Sequence, residues 1–447
     1  MVGGAGTNVV HAMSDAGFTR GLSRPARPGV DDLDWFEVYH PAPPLALDLA
    51  GLAAELRAIT RERVTSGQRA AVAVGSRGIN RLPDVVALVV EGLRNAGANP
   101  VLVPAMGSHG GASSAGQVEV LHELGVVSEA LGVPVEASME VEQVGHLTSG
   151  RPIYVAKAAL GCDLVVPVNR VKPHTDFRAP VESGLTKMLT IGLGKERGAS
   201  SLHSAGFAAF AEVLPEALPI VMGAVHVPFG VALVEDAWHR LFRAEVVPAE
   251  KILERDEALL KEAWDHFGRL PFDEVDVLVL REMGKTVSGA GMDPNVTGRF
   301  PVDPLPAPTA VGRLAVLDLR EDSGGNAQGV GSADIVTERL RDKVNWGATY
   351  ANALASKALS AAKLPVVAHT DAGAFSMALE SLVGRGPGDA RMVAMVNTLE
   401  VSRLAVSLPL VEPAEAAGYE AAVEPVRAEF TDEGRLVRIG SLEFFPE

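Results

Sequence analysis

The stretch Ala70-Ala71-Val72-Ala73-Val74, followed at once by Gly75-Ser76-Arg77-Gly78, decides the fold class. A short unbroken apolar run that stops at glycine and polar residues reads as a strand buried on both faces. After it, Pro83 to Ala96 places Val85, Leu88, Val89 and Leu93 at helical spacing, with Asp84 in the first turn and Gly97 and Pro100 closing the segment. Val101 to Pro104 is the next predicted strand; Met106-Gly107-Ser108-His109-Gly110-Gly111 and a helix from Ser114 to Leu124 follow. A third run, Asp163 to Val168, leads into Asn169-Arg170-Val171-Lys172-Pro173-His174. This alternation predicts an α/β fold with mainly parallel sheets. In such sheets ligands bind at the carboxyl edge, where all three polar loops fall.

A second α/β block begins after Pro271, with strands predicted near Val275 to Leu280, Leu314 to Leu319, Pro365 to Ala368 and Met392 to Val396. The expected organisation is two α/β lobes with an interdomain cleft. Residues 1–270 form the N-terminal lobe, with about 1–28 a loose arm, and residues 271–412 the C-terminal lobe that closes the cleft. Residues 413–447 are a terminal segment expected to pack back on the first lobe.

With 447 residues, the chain has room for two to three domains at roughly 150 residues each. One cysteine, Cys162, excludes an internal disulfide and any all-thiolate metal site. Forty basic against 56 acidic residues give a net charge of −16, which argues against a nucleic acid or an anionic membrane as partner. Met1 to Phe18 lacks the basic and apolar blocks of a signal peptide, so a cytoplasmic location is expected. Ala217 to Val234 is the most apolar of the long uncharged stretches. Because Pro219, Gly223, Pro228 and Gly230 interrupt it, it reads as two buried strands joined by a turn and not as a membrane span.

Nucleotide motifs of the usual kinds are missing. Gly194-Lys195 and Gly284-Lys285 resemble fragments of a P-loop, but the required upstream glycine is Leu189 in one and Val279 in the other. The glycines beside His109 suit close backbone approach to a phosphate or carboxylate, and equally suit a tight turn. His174 belongs to a charged cluster with Arg170, Lys172, Asp176 and Arg178 at a predicted carboxyl edge, a placement that favours a ligand site. Lys187 lies near an apolar helical face formed by Leu185, Met188 and Leu189. Either its stem runs along the core edge to water, or burial lowers its pKa and makes it a nucleophile. The loop Gly284 to Asn295 supplies glycines and Lys285 for an anionic small-molecule substrate.

Taken in order, Met106–Gly111, Asn169–Phe177, Ser183–Leu189 and His203 resemble the lactate racemase family, which uses a nickel-pincer nucleotide. The resemblance implies a divergent racemase or epimerase of a 2-hydroxyacid. It implies Lys187 as the tether of the cofactor, His203 as the protein ligand to nickel, and His109 and His174 as alternating general base and acid. It further implies Gly107, Gly110 and Lys172 at the cofactor, Arg77, Lys285 and Asn295 at the substrate, and cofactor-assembly enzymes as partners. Gly75-Ser76-Arg77-Gly78 stands where the family carries Asp-x-Thr-Arg. The competing expectations are a nickel-independent lyase or hydrolase that uses the same histidines, and a non-catalytic binder of a phosphorylated small molecule. Oligomeric state has no signature in the sequence.

Overall fold

Along the strand Arg69–Val74 successive side chains enter opposite cores: Ala71 and Ala73 pack on one face of the sheet, Ala70, Val72 and Val74 on the other. That two-sided burial is why the run carries no polar residue, and each large apolar side chain so buried stabilises the fold by about 1.5–3 kcal/mol. A computed structural model describes residues 33–445 apart from residue 46 and residues 303–304. The expected N-terminal arm lies outside the described residues.

The first sheet has five strands in the order Asn99–Pro104, Arg69–Val74, Leu164–Arg170, Phe229–Glu235, Leu241–Pro248. The first four are mutually parallel and the last is antiparallel. The helix Leu82–Asn95 covers one face with Val85, Val86, Val89, Val90 and Leu93. The helix Ser114–Glu123 starts at Ser113, whose side chain accepts from the Gly116 N–H and so satisfies one of the free amides of the first turn.

The second sheet is larger. Val366–Ala368, Ile335–Thr337, Ala310–Leu319, Glu274–Met283 and Met392–Met395 run parallel, and Arg403–Ser407, Trp35–Tyr39 and Glu420–Ala421 extend the sheet with antiparallel pairing. Val277 and Val279 face one core, Leu278 and Leu280 the other. The α/β class with mainly parallel sheets is therefore the observed one.

Three expectations need correction. The strand Trp35–Tyr39 belongs to the second sheet, so the chain starts its described path there before it builds the first lobe. The terminal segment does not pack back on the first lobe. Leu436, Ile439, Leu442, Phe444 and Phe445 share a core with Trp35, Val277 and Phe375 of the second, where aromatic and aliphatic bulk completes the outer face of that sheet. Finally, Ala217 to Val234 is not two strands. Its first part belongs to the helix Phe210–Ala224 and the rest holds the strand Phe229–Glu235. Phe210, Val213, Leu214, Ala217, Leu218 and Val221 form a buried helical stripe whose packing outweighs Pro215 and Pro219. Residues 207–224 satisfy the length and composition of a membrane span, yet this stripe belongs to the first-lobe core.

Candidate functional site

Arg77, His109 and His174 follow the carboxyl ends of three adjacent parallel strands, so the sheet itself delivers them to one edge. Lys285 follows the carboxyl end of Glu274–Met283 in the second sheet. The two edges meet: a Cβ placed on Gly289 would lie 3.0 Å from the Arg77 guanidinium, and the Asn295 side chain donates to the His174 carbonyl at 3.1 Å.

His109 keeps a solvent-exposed face, yet protein encloses it on the other sides. Burial, followed by the charges of Arg77, Lys285, Lys187 and His203, lowers its pKa to about 3. Its Nδ1 is hydrogen-bonded to the Ser76 hydroxyl.

The His174 imidazole sits on an aromatic wall, with its ring centroid 4.4 Å from Phe177 and 5.7 Å from Phe207. Its Nδ1 accepts the Asp176 N–H at 3.1 Å, which leaves the proton of the neutral ring on Nε2. Burial, then the charges of Lys187, Lys172, His203 and Arg178, hold it well below the ordinary histidine range. The backbone is fixed as tightly: the His174 N–H donates to Glu182 at 2.7 Å, and its carbonyl accepts from Arg178 at 2.8 Å.

Lys187 stands over the Phe177 ring at 5.5 Å and makes no hydrogen bond or ion pair with another described residue. Desolvation dominates there, only partly opposed by Asp176 and Glu182, and brings the amine down to about 7. The segment that carries it is short: the helix Gly184–Lys187, then a π-helical turn over Met188–Gly192. Such wide turns occur where a functional side chain has to be re-aimed. Asp256, from the distant helix Ile252–Asp265, caps the start by accepting the Leu185 and Thr186 N–H groups at 3.1 and 2.7 Å. Gly184 must be glycine, because φ is +83° and a Cβ would lie 2.3 Å from the Asp256 carboxylate.

His203 ends the helix Lys195–His203 and shares the aromatic wall, 5.8 Å from Phe207 and 5.4 Å from Phe210. Burial and the Lys187 charge lower it to about 4, so its ring is neutral near pH 7 and has a lone pair to offer. Among the described residues no group of three or more His, Cys, Asp or Glu could hold a metal ion. A metal here would have to bring most of its own ligands.

The cations divide into paired and free. Arg170 pairs with Glu235, and Lys172 faces Asp293 across the lobes at 3.7 Å. Among the described residues the Lys285 ammonium donates only to the Gly289 carbonyl, at 2.7 Å, and burial followed by the Arg77 charge lowers it to about 8. Arg77 is exposed to solvent and has no carboxylate partner among the described residues, and the atoms and the Arg170 charge around it lower its pKa. Unpaired charge of this sign at a strand edge suits an anion.

Three residues singled out in the sequence also have packing roles. Asn295 has no solvent exposure, and its amide is engaged by His174 and Arg178, so it joins the lobes. Gly107 and Gly110 have φ of +59° and +67°, and a Cβ on Gly110 would meet the Gly116 backbone at 2.6 Å. Both glycines are therefore required by the backbone angle and the packing of the chain. No role was assigned from the sequence to Ser76, Gln117, Lys195 or Asp256. No periodicity could have revealed them, because each acts on a residue far along the chain or through a backbone angle.

The family model of the lactate racemase N-terminal domain matches residues 58–211. The match lies within the first lobe. Arg77, His109, His174, Lys187 and His203 all lie inside the matched segment, whereas Lys285 and Asn295 lie beyond it. A search of curated proteins finds no match to the chain. Among solved structures, the lactate racemase apoprotein from Thermoanaerobacterium thermosaccharolyticum is similar at 14% identity and a TM-score of 0.49, over 82% of this chain and 98% of that one. A structural genomics target from Thermotoga maritima is similar at 12% identity and a TM-score of 0.47, over 62% of this chain and 72% of that one.

Proposed function

We propose that this protein is an isomerase, a racemase or epimerase of a 2-hydroxyacid, and that it works with a lysine-tethered nickel-pincer nucleotide. The observation that carries the reading is the unpaired Lys187 amine beside His174 and His203 on one aromatic wall, inside a lactate racemase N-terminal domain. The residues fit such a group. Lys187 offers a neutral amine near pH 7 for the covalent link, His203 a neutral imidazole for the metal, and the dearth of protein metal ligands suits a cofactor that brings its own. When bound, the group supplies a reversible hydride acceptor, which is the part of the chemistry no side chain here can perform.

The protein's part is proton transfer and orientation. Arg77, with Lys285 beside it, holds the substrate carboxylate and turns the carbinol carbon toward the aromatic wall. His109 and His174 are both neutral at pH 7, so either can take the hydroxyl proton as the Cα–H bond breaks, and the same proton returns when that bond re-forms. Two bases allow re-formation on the face opposite to cleavage, which inverts the centre. An anionic substrate also offsets the cationic charge that depresses His109, raising that base toward working pH as the site fills. The cytoplasm and the cofactor-assembly enzymes are the proposed setting.

The test is co-expression with cofactor-assembly enzymes, then intact mass, metal analysis and a chiral assay over a panel of 2-hydroxyacids. Mass added at Lys187, bound nickel and interconversion of enantiomers are expected. Unmodified Lys187 without nickel, or turnover that survives both chelation and Lys187→Ala, would overturn the reading.

A further inference from the structure

Lys195 is fully buried, yet no carboxylate pairs with it among the described residues. Its ammonium donates to the Pro104 carbonyl at 2.6 Å and to the Gln117 side-chain oxygen at 2.7 Å. Its backbone is left-handed, with φ of +53°, a region that favours glycine. Two unfavourable features at one residue, a buried charge without a counter-ion and a strained backbone angle, need a reason beyond packing, because an apolar side chain would fill the same space at lower cost.

The reason is legible in what Gln117 does with its other end. Its side-chain N–H group donates to the Gly107 carbonyl at 3.0 Å and to the His109 carbonyl at 3.3 Å. Gln117 is itself fully buried, on the helix Ser114–Glu123. A chain of hydrogen bonds thus runs from Lys195, the first residue of the helix that ends in His203, through Gln117 to the backbone that carries His109. A second tie runs alongside: the Gly107 N–H donates to the Gly192 carbonyl of the π-helical turn after Lys187.

We propose that Lys195 and Gln117 are positioning residues that fix the His109 loop against the Lys187–His203 segment. Neither touches the reacting atoms. They set where the His109 base stands relative to whatever Lys187 and His203 hold. What His109 does there rests on the function proposed above, but where it is held rests on the hydrogen bonds alone. The ammonium orients the Gln117 amide, since accepting from Lys195 on the oxygen forces the NH2 toward the loop. Without that charge the amide is free to flip, and the loop loses two donors.

The test uses the full chain without cofactor, its histidines labelled for NMR, and follows the titration of each imidazole in wild type, Lys195→Met, Gln117→Met and the double variant. His109 is surrounded by Ser76, Arg77, Lys187, His203 and Lys285, and release of the loop moves the ring out of that field toward water. Each single variant is expected to raise the His109 pKa by at least one unit while that of His203 stays in place. The double variant is expected to match the singles, because both act through one chain of bonds. An unmoved His109 in a folded variant, additive shifts, or equal shifts at all three histidines would overturn the proposal. Should Lys195→Met fail to fold, Gln117→Met keeps the test open, since it removes the loop donors without altering the buried charge. The titration needs no turnover, so its failure is distinguishable from failure of the functional reading. In the cofactor-loaded protein the same variants should lower kcat about tenfold with KM nearly unchanged.

Discussion

The Asn295 side chain in the second lobe and the His174 backbone in the first are joined by a hydrogen bond of 3.1 Å, and Arg178 donates to the same His174 carbonyl while also binding the Asn295 oxygen. The loop that presents His174 is therefore held from both lobes. Replacing Asn295 by leucine keeps the volume and leaves Arg178 without that acceptor, a loss of about 1–3 kcal/mol at a buried site. The expected outcome is a lower denaturant midpoint and a larger drop in kcat than rise in KM. An unchanged midpoint would show that the lobes do not depend on this contact.

Lys187 should be the most reactive amine of the protein near neutrality. Its pKa is lowered to about 7, so it is charged and inert below that pH and a neutral nucleophile above it. Pulse labelling with an amine-reactive reagent, read by peptide mass, should give half-maximal modification of Lys187 near pH 7. Exposed lysines, at about 10.4, lag by roughly three units. Modification of Lys187 only above pH 9 would contradict the desolvation on which its role rests.

Asp256 supplies a pH dependence with a definite sign. Burial raises its carboxyl from 3.8 to about 6 despite the two backbone N–H groups it accepts. Between those values the folded chain binds more protons than the unfolded one, so stability falls as pH rises through that window. The shift corresponds to about 3 kcal/mol, lost between roughly pH 4 and pH 7. Asp256→Asn cannot ionise and should lack this slope. Parallel pH profiles of unfolding free energy for the two proteins would refute the assignment.

Arg77 is the strongest candidate for substrate charge, being a free guanidinium close to the Gly289 backbone. Arg77→Gln removes a charge-assisted pair worth about 1.5–3 kcal/mol. For an active 2-hydroxyacid the expected effect is a roughly 10- to 100-fold rise in KM or in the inhibition constant of a matching carboxylate. A change confined to kcat would move Arg77 out of the carboxylate role.

Local physics made much of the scaffold legible. The strands Arg69–Val74, Asn99–Pro104 and Leu164–Arg170 form around apolar cores, Ala70–Val74, Pro100–Pro104 and Leu164–Val168, that must be buried on both sides, and the loops after them carry Arg77, His109 and His174 for the same topological reason. The helix Phe210–Ala224 was misread because its prolines are a local signal against helix, whereas its buried stripe is a tertiary one, and the stripe prevailed.

The sequence by itself determined the α/β class, the carboxyl-edge loops and the residue types available for chemistry, because these follow from spacing and composition over a few neighbouring positions. It showed no charge partner for any of Arg77, Arg170, Lys172, Lys187 and Lys285. Only the tertiary structure decided that Arg170 meets Glu235, 65 positions away, that Lys172 meets Asp293, and that Arg77 and Lys187 meet no carboxylate among the described residues. It also decided that Asn295 joins lobes and that Lys195 reaches the His109 loop through Gln117. Charge pairing and desolvation depend on distances through space between residues far apart in the chain, and those distances exist only once the two sheets have formed and met.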